Sequence, residues 1–252
     1  MADVLVVKGL RKTFGGVVAV DGASLVARRG SVTSMLGSNG AGKTSLFNLL
    51  AGFVRPDAGE ITYKGRRIEH LPPARRAALG IGRLWQDIRL FKNMTVLENL
   101  LVAKKSQPGE SILNCLLRPR AARLAERQNL EHAGEVLDFV GLGDRRGSLA
   151  QDLSYGQQKL LGLGRLLMND ADLLLLDEPT AGVNAVMVDH TLSLIAALAR
   201  QGRTILMIEH NVPKALSVSD AIYIMHEGRV EPSSIPAGAP LDTLLREVYL
   251  GV

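Results

Sequence analysis

The sequence predicts an α/β protein with a mainly parallel sheet core and helices on both of its faces. Three observations carry this. Unbroken apolar runs, SVTSML at 31–36, DLLLLDEP at 172–179 and TILMIEH at 204–210, alternate with segments of helical periodicity, the pattern of strands buried on both sides. A Gly-rich segment follows the first run and opens a helix. A long stretch with helical periodicity and hardly any β-run separates the first half of the core from the second. The 252 residues suit one large domain or one domain with a subdomain, and 46% apolar, 22% charged and 4% aromatic residues exclude a disordered or fibrous chain.

Taken in order, VLVV at 4–7, VVAV at 17–20 and SLVA at 24–27 are short β-runs parted by Gly-containing turns, which predicts an N-terminal antiparallel β subdomain. SVTSML is the first buried strand. In KTSLFNLLAGF, Leu46, Leu49, Leu50 and Phe53 recur at helical spacing. A Pro-Asp-Ala-Gly turn at 56–59 leads into the strand ITYKG, and IGRLWQ at 81–86 is another strand. From Asp87 to about Leu153, MTVLENLLVAKK and RAARLAERQNLEHAGEVLDFVGL predict an inserted helical subdomain. After DLLLLDEP come a helix through TLSLIAALARQG, the strand TILMIEH, a helix over PKALSVSD and the strand AIYIMHEG. EPSSIPAGAP at 231–240 reads as a connector to a last short helix, LDTLLREVYLG. The expected division is therefore 1–86 and 165–230 for core and β subdomain, 87–164 for the helical subdomain, and 231–252 for the C-terminal connector and helix. The sequence has no internal repeat and no low-complexity tract.

The longest stretch without a charge, residues 30–42, is too short and too polar to cross a bilayer, which takes about 20 apolar residues. MADVLVVKGLRK at the N-terminus lacks the pattern of a secretory signal, so a cytosolic chain is expected. The single cysteine, Cys115, excludes an internal disulfide framework and reads as a small semi-buried hydrophobe. A formal charge of +5 permits a phosphate, nucleic-acid or anionic-membrane partner. The basic pairs Arg28/Arg29, Arg66/Arg67, Arg75/Arg76 and Lys104/Lys105 are scattered and lack interleaved aromatics, so they read as solvated surface and no nucleic-acid partner is expected.

GSNGAGKT at 37–44 fits the phosphate-binding pattern G-x-x-x-x-G-K-[ST] in the strand–loop–helix context that pattern requires. Gly37, Gly40 and Gly42 let successive backbone N–H groups point inward as a nest for phosphate oxygens, and the helix that follows adds the positive end of its dipole. Ser38, Asn39, Ala41 and Ser45 complete the loop and its exit. Lys43 places a point charge near the β and γ phosphates, and Thr44 offers a hydroxyl to Mg²⁺. In LLLLDEP a buried strand ends in two carboxylates, which is unfavourable unless a counter-charge pairs with them. Asp177, at the carboxyl end of its strand, is placed to reach Mg²⁺ directly or through water. Glu178 projects differently and can accept a proton from an attacking water as general base.

The motifs KTFGG, GSNGAGKT, LWQD, LSYGQQ, LLLLDEP, AGVN and IEHN occur in this order along the chain. The set resembles the ATPase subunits of ATP-binding cassette (ABC) transporters over essentially the whole chain. RLWQDIRLFKNMTVLENLLVA, LSYGQQ, DEPTAGVN and EVYLG look most like the subunits of branched-chain amino acid importers. The resemblance implies a P-loop NTPase fold of ABC type with ATP and Mg²⁺ as cofactors. It implies that Phe14 stacks on adenine, and that Gln86 touches Mg²⁺ or the attacking water in the loop between core and helical subdomain. It also implies that His210 contacts the γ-phosphate, and that Ser154, Gly156 and Gln157 of LSYGQQ bind the γ-phosphate held by a second subunit.

The sequence departs from the commonest family pattern twice. Tyr155 stands where Gly is usual, so a side chain must point away from the nucleotide. Asn184 stands where most members have Asp, keeping the size and losing the charge. In the helix after the signature, Gly162 and Gly164 each cost about 1 kcal/mol relative to Ala, and the sequence shows no reason for them. The resemblance implies transmembrane permease partners, a second cassette that is a copy or a related chain, an external solute-binding protein acting indirectly, and a peripheral position on the inner face of the cell membrane. Urea, amide or lipid transport, a soluble cassette ATPase acting on nucleic acid or ribosomes, and a nucleotide-binding regulator remain alternative readings.

Overall fold

The computed structural model describes residues 2–105 and 119–233. Cys115, most of the 231–252 connector and the closing helix lie outside the described residues. The chain divides into two compact units, Met1–Gln86 with Asp172–Ala181 and Ala185–Val252, and Asp87–Ala171 with Gly182–Asn184.

In the first unit, β1 (Asp3–Phe14) and β2 (Val17–Arg28) form one long antiparallel hairpin, and β4 (Ala58–Tyr63) and β5 (Arg66–Arg67) extend it in the order β2-β1-β4-β5. VVAV and SLVA are thus parts of one strand. Register shifts along the hairpin break the alternation that a sequence reading relies on. The second sheet has the order β10-β9-β3-β8-β7-β6, built from β3 (Val32–Leu36), β6 (Ile81–Leu84), β7 (Leu173–Asp177), β8 (Thr204–Ile208), β9 (Ala221–His226) and β10 (Arg229–Pro232). Every pairing is parallel except β9 with β10. β10 takes Glu231 and Pro232 from the expected connector, because their backbone groups complete the sheet edge opposite Ile224 and Tyr223.

Helices cover both faces. Met35 and Leu36 are neighbours in β3 and so point to opposite sides. Met35 packs in a core with Leu46, Leu49 and Leu50 of α1 (Lys43–Ala51), while Leu36 packs with Val212 and Ala215 near the C-terminus. A short α2 (Pro73–Ala78) precedes β6.

In the second unit, α3 (Val96–Leu101) starts with a capping box in which Thr95 accepts from the Glu98 N–H and Glu98 reaches back to the Thr95 N–H. Then come α4 (Pro119–Phe139) and α5 (Tyr155–Met168). The structure corrects the expected boundary at 164, since α5 continues unbroken to Met168 and residues 165–171 therefore belong with the helical unit. Gly164 also gains an explanation. A Cβ there would lie 3.1 Å from Leu100 and 3.4 Å from Val136, so its absence lets three helices pack closely. The remaining helices, α6 (Ala185–Arg200) and α7 (Val212–Val218), belong to the first unit. Among the described residues no helix is long and apolar enough to cross a membrane.

Candidate functional site

The phosphate loop occupies the turn between β3 and α1. Gly42 caps α1 with φ 104°, a conformation that side-chain-bearing residues rarely adopt. A Cβ at Gly42 would collide with the Ala19 carbonyl, and one at Gly37 with the Met225 carbonyl, so two neighbouring strands hold the loop in shape. The Gly228 N–H adds a hydrogen bond to the Ala41 carbonyl at 2.9 Å.

The loop from Asn39 to Ser45 borders an open cleft of about 600 Å³ that Gln86, Glu178 and His210 also line. Lys43 is buried, and its ammonium donates to the Gly37 and Ser38 carbonyls at 2.7 and 2.8 Å. Burial pushes its pKa down, opposed by the carboxylates of Glu178 and Asp177. Thr44 is exposed on the first turn of α1.

Glu178 has φ 49°, so its backbone turns sharply just past the end of β7 and its side chain diverges from that of Asp177. Its N–H donates to the Ile208 carbonyl at 3.1 Å, which ties this turn to β8. The Gln86 amide donates to Glu178 Oε2 at 3.1 Å, and His210 Nε2 lies 2.7 Å from Oε1. Three of the residues expected to act on the γ-phosphate and the attacking water thus meet on one carboxylate.

Asp177 is buried and does not line the cleft, and Arg83 donates to its Oδ2 at 2.9 Å. Burial raises the Asp177 pKa, while Arg83 and Lys43 pull it back. Two further residues escape a reading of the sequence alone. Arg83 interrupts the apolar strand IGRLW, and Glu209 ends the apolar run TILMI; a charge inside a buried strand calls for a partner, and that was the available signal. Glu209 receives the Thr180 N–H and hydroxyl at 3.2 and 2.8 Å, joining the segment after Glu178 to the one before His210.

The oxygen donors fit Mg²⁺. Thr44, Asp177 and Gln86 carry hard oxygen donors, few in number, as would suit a cation that keeps phosphate and water oxygens in its shell. Among the described residues no cluster of three or more His, Cys, Asp or Glu forms a protein-only metal cage.

Phe14 does not line the cleft. It ends β1, 43% exposed as a residue, with the Lys12 ammonium 5.5 Å from its ring centroid, whereas Val17 and Val18 across the hairpin turn do line the cleft. Ser154, Gly156 and Gln157 belong to the second unit. Ser154 caps α5, accepting from the Gln157 N–H at 3.3 Å, and the Gln157 side chain accepts from the Ser154 N–H at 3.0 Å. The Tyr155 ring lies against Gly182, two residues before Asn184 in the AGVN loop, where a Cβ would be 3.1 Å from the ring. Gly182 has φ 73° and no side chain, which accommodates both the turn and the ring.

The Gly-rich loop opening α1, with Glu178 held by Gln86 and His210 on the cleft it borders, is the arrangement of a P-loop nucleoside triphosphatase. Residues 20–181 match the ABC transporter family, and the chain belongs to that family. It is similar to the high-affinity branched-chain amino acid transport ATP-binding protein LivG of Salmonella typhimurium, 38% identical over 98% of this chain and 97% of that protein. It is also similar to BraF of Pseudomonas aeruginosa, named in the same words, at 39% over 98% of each. Among solved structures, a nucleotide-free ATP-binding cassette from an ABC transporter superposes with a TM-score of 0.80 at 32% identity, covering 100% of this chain and 96% of that one. The ADP conformation of another such cassette gives 0.80 at 31%, covering 98% and 95%.

Proposed function

We propose that this chain is the ATP-hydrolysing subunit that powers a membrane importer of branched-chain or other small amino acids. The observation that carries the reading is Glu178, gripped by Gln86 and His210 at the rim of a cleft that the phosphate loop borders. The solute class is supported by LivG and BraF, which share more than a third of their residues with this chain over nearly its full length.

In this scheme the loop amides and Lys43 bind the triphosphate, and Phe14, outside the cleft but paired with the cleft-lining Val17 across the hairpin turn, stacks on an adenine that extends past the cleft edge. Thr44, Asp177 and Gln86 would hold Mg²⁺, which would supply neutralisation of the phosphate charge. Glu178 takes a proton from the attacking water, and His210 contacts the γ-phosphate. Ser154, Gly156 and Gln157 serve the nucleotide held by a second cassette, so ATP favours the closed pair and loss of phosphate releases it. That cycle drives permease subunits at the inner face of the membrane, supplied by an external solute-binding protein.

Glu178→Gln tests the chemistry. Hydrolysis is expected to slow by about 10²- to 10⁴-fold, the range for a lost general base, with ATP binding retained. Unchanged phosphate release in steady state would remove Glu178 from this role. Mild-detergent purification from membranes tests the setting, with permease subunits expected to accompany the chain.

A further inference from the structure

The scheme above leaves Arg83 without a role. It sits in the middle of β6 with its side chain 4% exposed. One arm of its guanidinium, Nη2, donates to Asp177 Oδ2 at 2.9 Å, and the other, Nη1, donates to Asn48 Oδ1 at 2.6 Å. Its plane is seated on aromatics, with Cζ 3.8 Å from the Trp85 ring centroid and 5.8 Å from that of Phe47. Asn48 and Phe47 lie on the helix that the phosphate loop opens, and Trp85 immediately precedes Gln86. One buried cation therefore meets the phosphate-loop helix, the strand-end acid and the root of the Gln86 loop.

The geometry is directed toward the ligand end of the sheet. The register sets Arg83 beside Leu175, yet its side chain runs two residues further along β7 to reach Asp177. Among the described residues Arg83 is the hydrogen-bond donor to the Asp177 side chain, and it takes Oδ2 alone.

We propose that Arg83 is the positioning residue of the cation site: its fork fixes Asp177 Oδ2, presents Oδ1 to the Mg²⁺ of bound nucleotide, and ties that carboxylate to the phosphate-loop helix through Asn48. The inference rests on the reading of Asp177 as a cation ligand. It also explains how a carboxylate can stay buried when the cation departs with product, since its counter-charge is built into the neighbouring strand. Lysine cannot replace it, because a single ammonium lacks the planar fork that spans two acceptors while stacking on Trp85.

The test is calorimetric ATP binding by the full chain across a MgCl₂ series, with an EDTA baseline, and Mn²⁺ binding followed by electron paramagnetic resonance. Arg83→Gln is expected to raise the half-saturating Mg²⁺ concentration by about tenfold or more, as for loss of a partner that orients a metal ligand, while ATP affinity in EDTA stays within about twofold. Arg83→Lys is expected to restore only part of that loss. Asn48→Ala keeps the ion pair and is expected to shift Mg²⁺ by about threefold, the effect of one lost hydrogen bond. Asp177→Asn separates the two readings. If it leaves the Mg²⁺ dependence as in the parent, the assignment of Asp177 falls and this inference with it. If Asp177→Asn abolishes the dependence but Arg83→Gln and Asn48→Ala match the parent, Arg83 is only structural. Should Arg83→Gln fail to fold, Asn48→Ala decides alone: a shift supports the role and no shift overturns it.

Discussion

At the scale of single residues, Glu178 shows how the site stores constraint. A left-handed backbone on a residue with a side chain costs about 1–3 kcal/mol and persists only where the surroundings impose it. Here the Ile208 carbonyl, Gln86 and His210 impose it. The Thr180–Glu209 pair holds the two flanking segments together in the same way. Burial raises the Glu209 pKa above its ordinary 4.5, outweighing the hydrogen bonds from Thr180. The folded chain therefore keeps this proton to higher pH than the unfolded chain. The stability it contributes is complete below the unfolded value and is lost as pH rises through the folded one. Glu209→Gln is expected to flatten that decline, and urea midpoints of parent and variant measured upward from pH 4 would check it, equal slopes counting against the assignment.

At the scale of elements, α1 is fastened at both ends. Its N-terminus is shaped by Gly42 against Ala19. Near its C-terminus Arg76, buried and not on the solvated surface expected of the basic pairs, donates to the Leu49 and Leu50 carbonyls at 2.6 and 2.8 Å, and also to those of Leu71 and Glu69 at 3.0 Å each. Burial lowers the Arg76 pKa to about 10, and it remains charged at neutral pH. Arg76→Met keeps the bulk but strands four carbonyls, two of them at the helix end. At about 1–3 kcal/mol for a buried group left unsatisfied, with partial relief by water, a loss of roughly 2–4 kcal/mol is expected. For a chain of this size that corresponds to a fall in Tm of roughly 4–16 °C, readable by calorimetry, and an unchanged Tm would dismiss the clamp.

At the scale of the whole molecule, the phosphate loop with its acids and the Ser154 helix start lie in different compact units, and the proposed scheme has each serve a different nucleotide of a cassette pair. Glu178→Gln, slowed in hydrolysis, is expected to associate in ATP with a second cassette, its own copy or a related chain, at about twice the 27.1 kDa chain mass. Light scattering with and without ATP would show this, and a mass independent of ATP for every pairing would speak against it. The sequence by itself determined the phosphate loop, the strand-end acids, the succession of buried strands along the chain and the inserted helical stretch, because each is a local pattern of residue type and spacing, whereas the order of those strands in the sheet is not. Only the tertiary structure decided that Arg83 meets Asp177, that Glu209 meets Thr180, that Tyr155 meets Gly182 and that Gly164 seats three helices. Those contacts join residues far apart in the chain, and nothing in the spacing of either partner specifies which strand or helix will lie beside it.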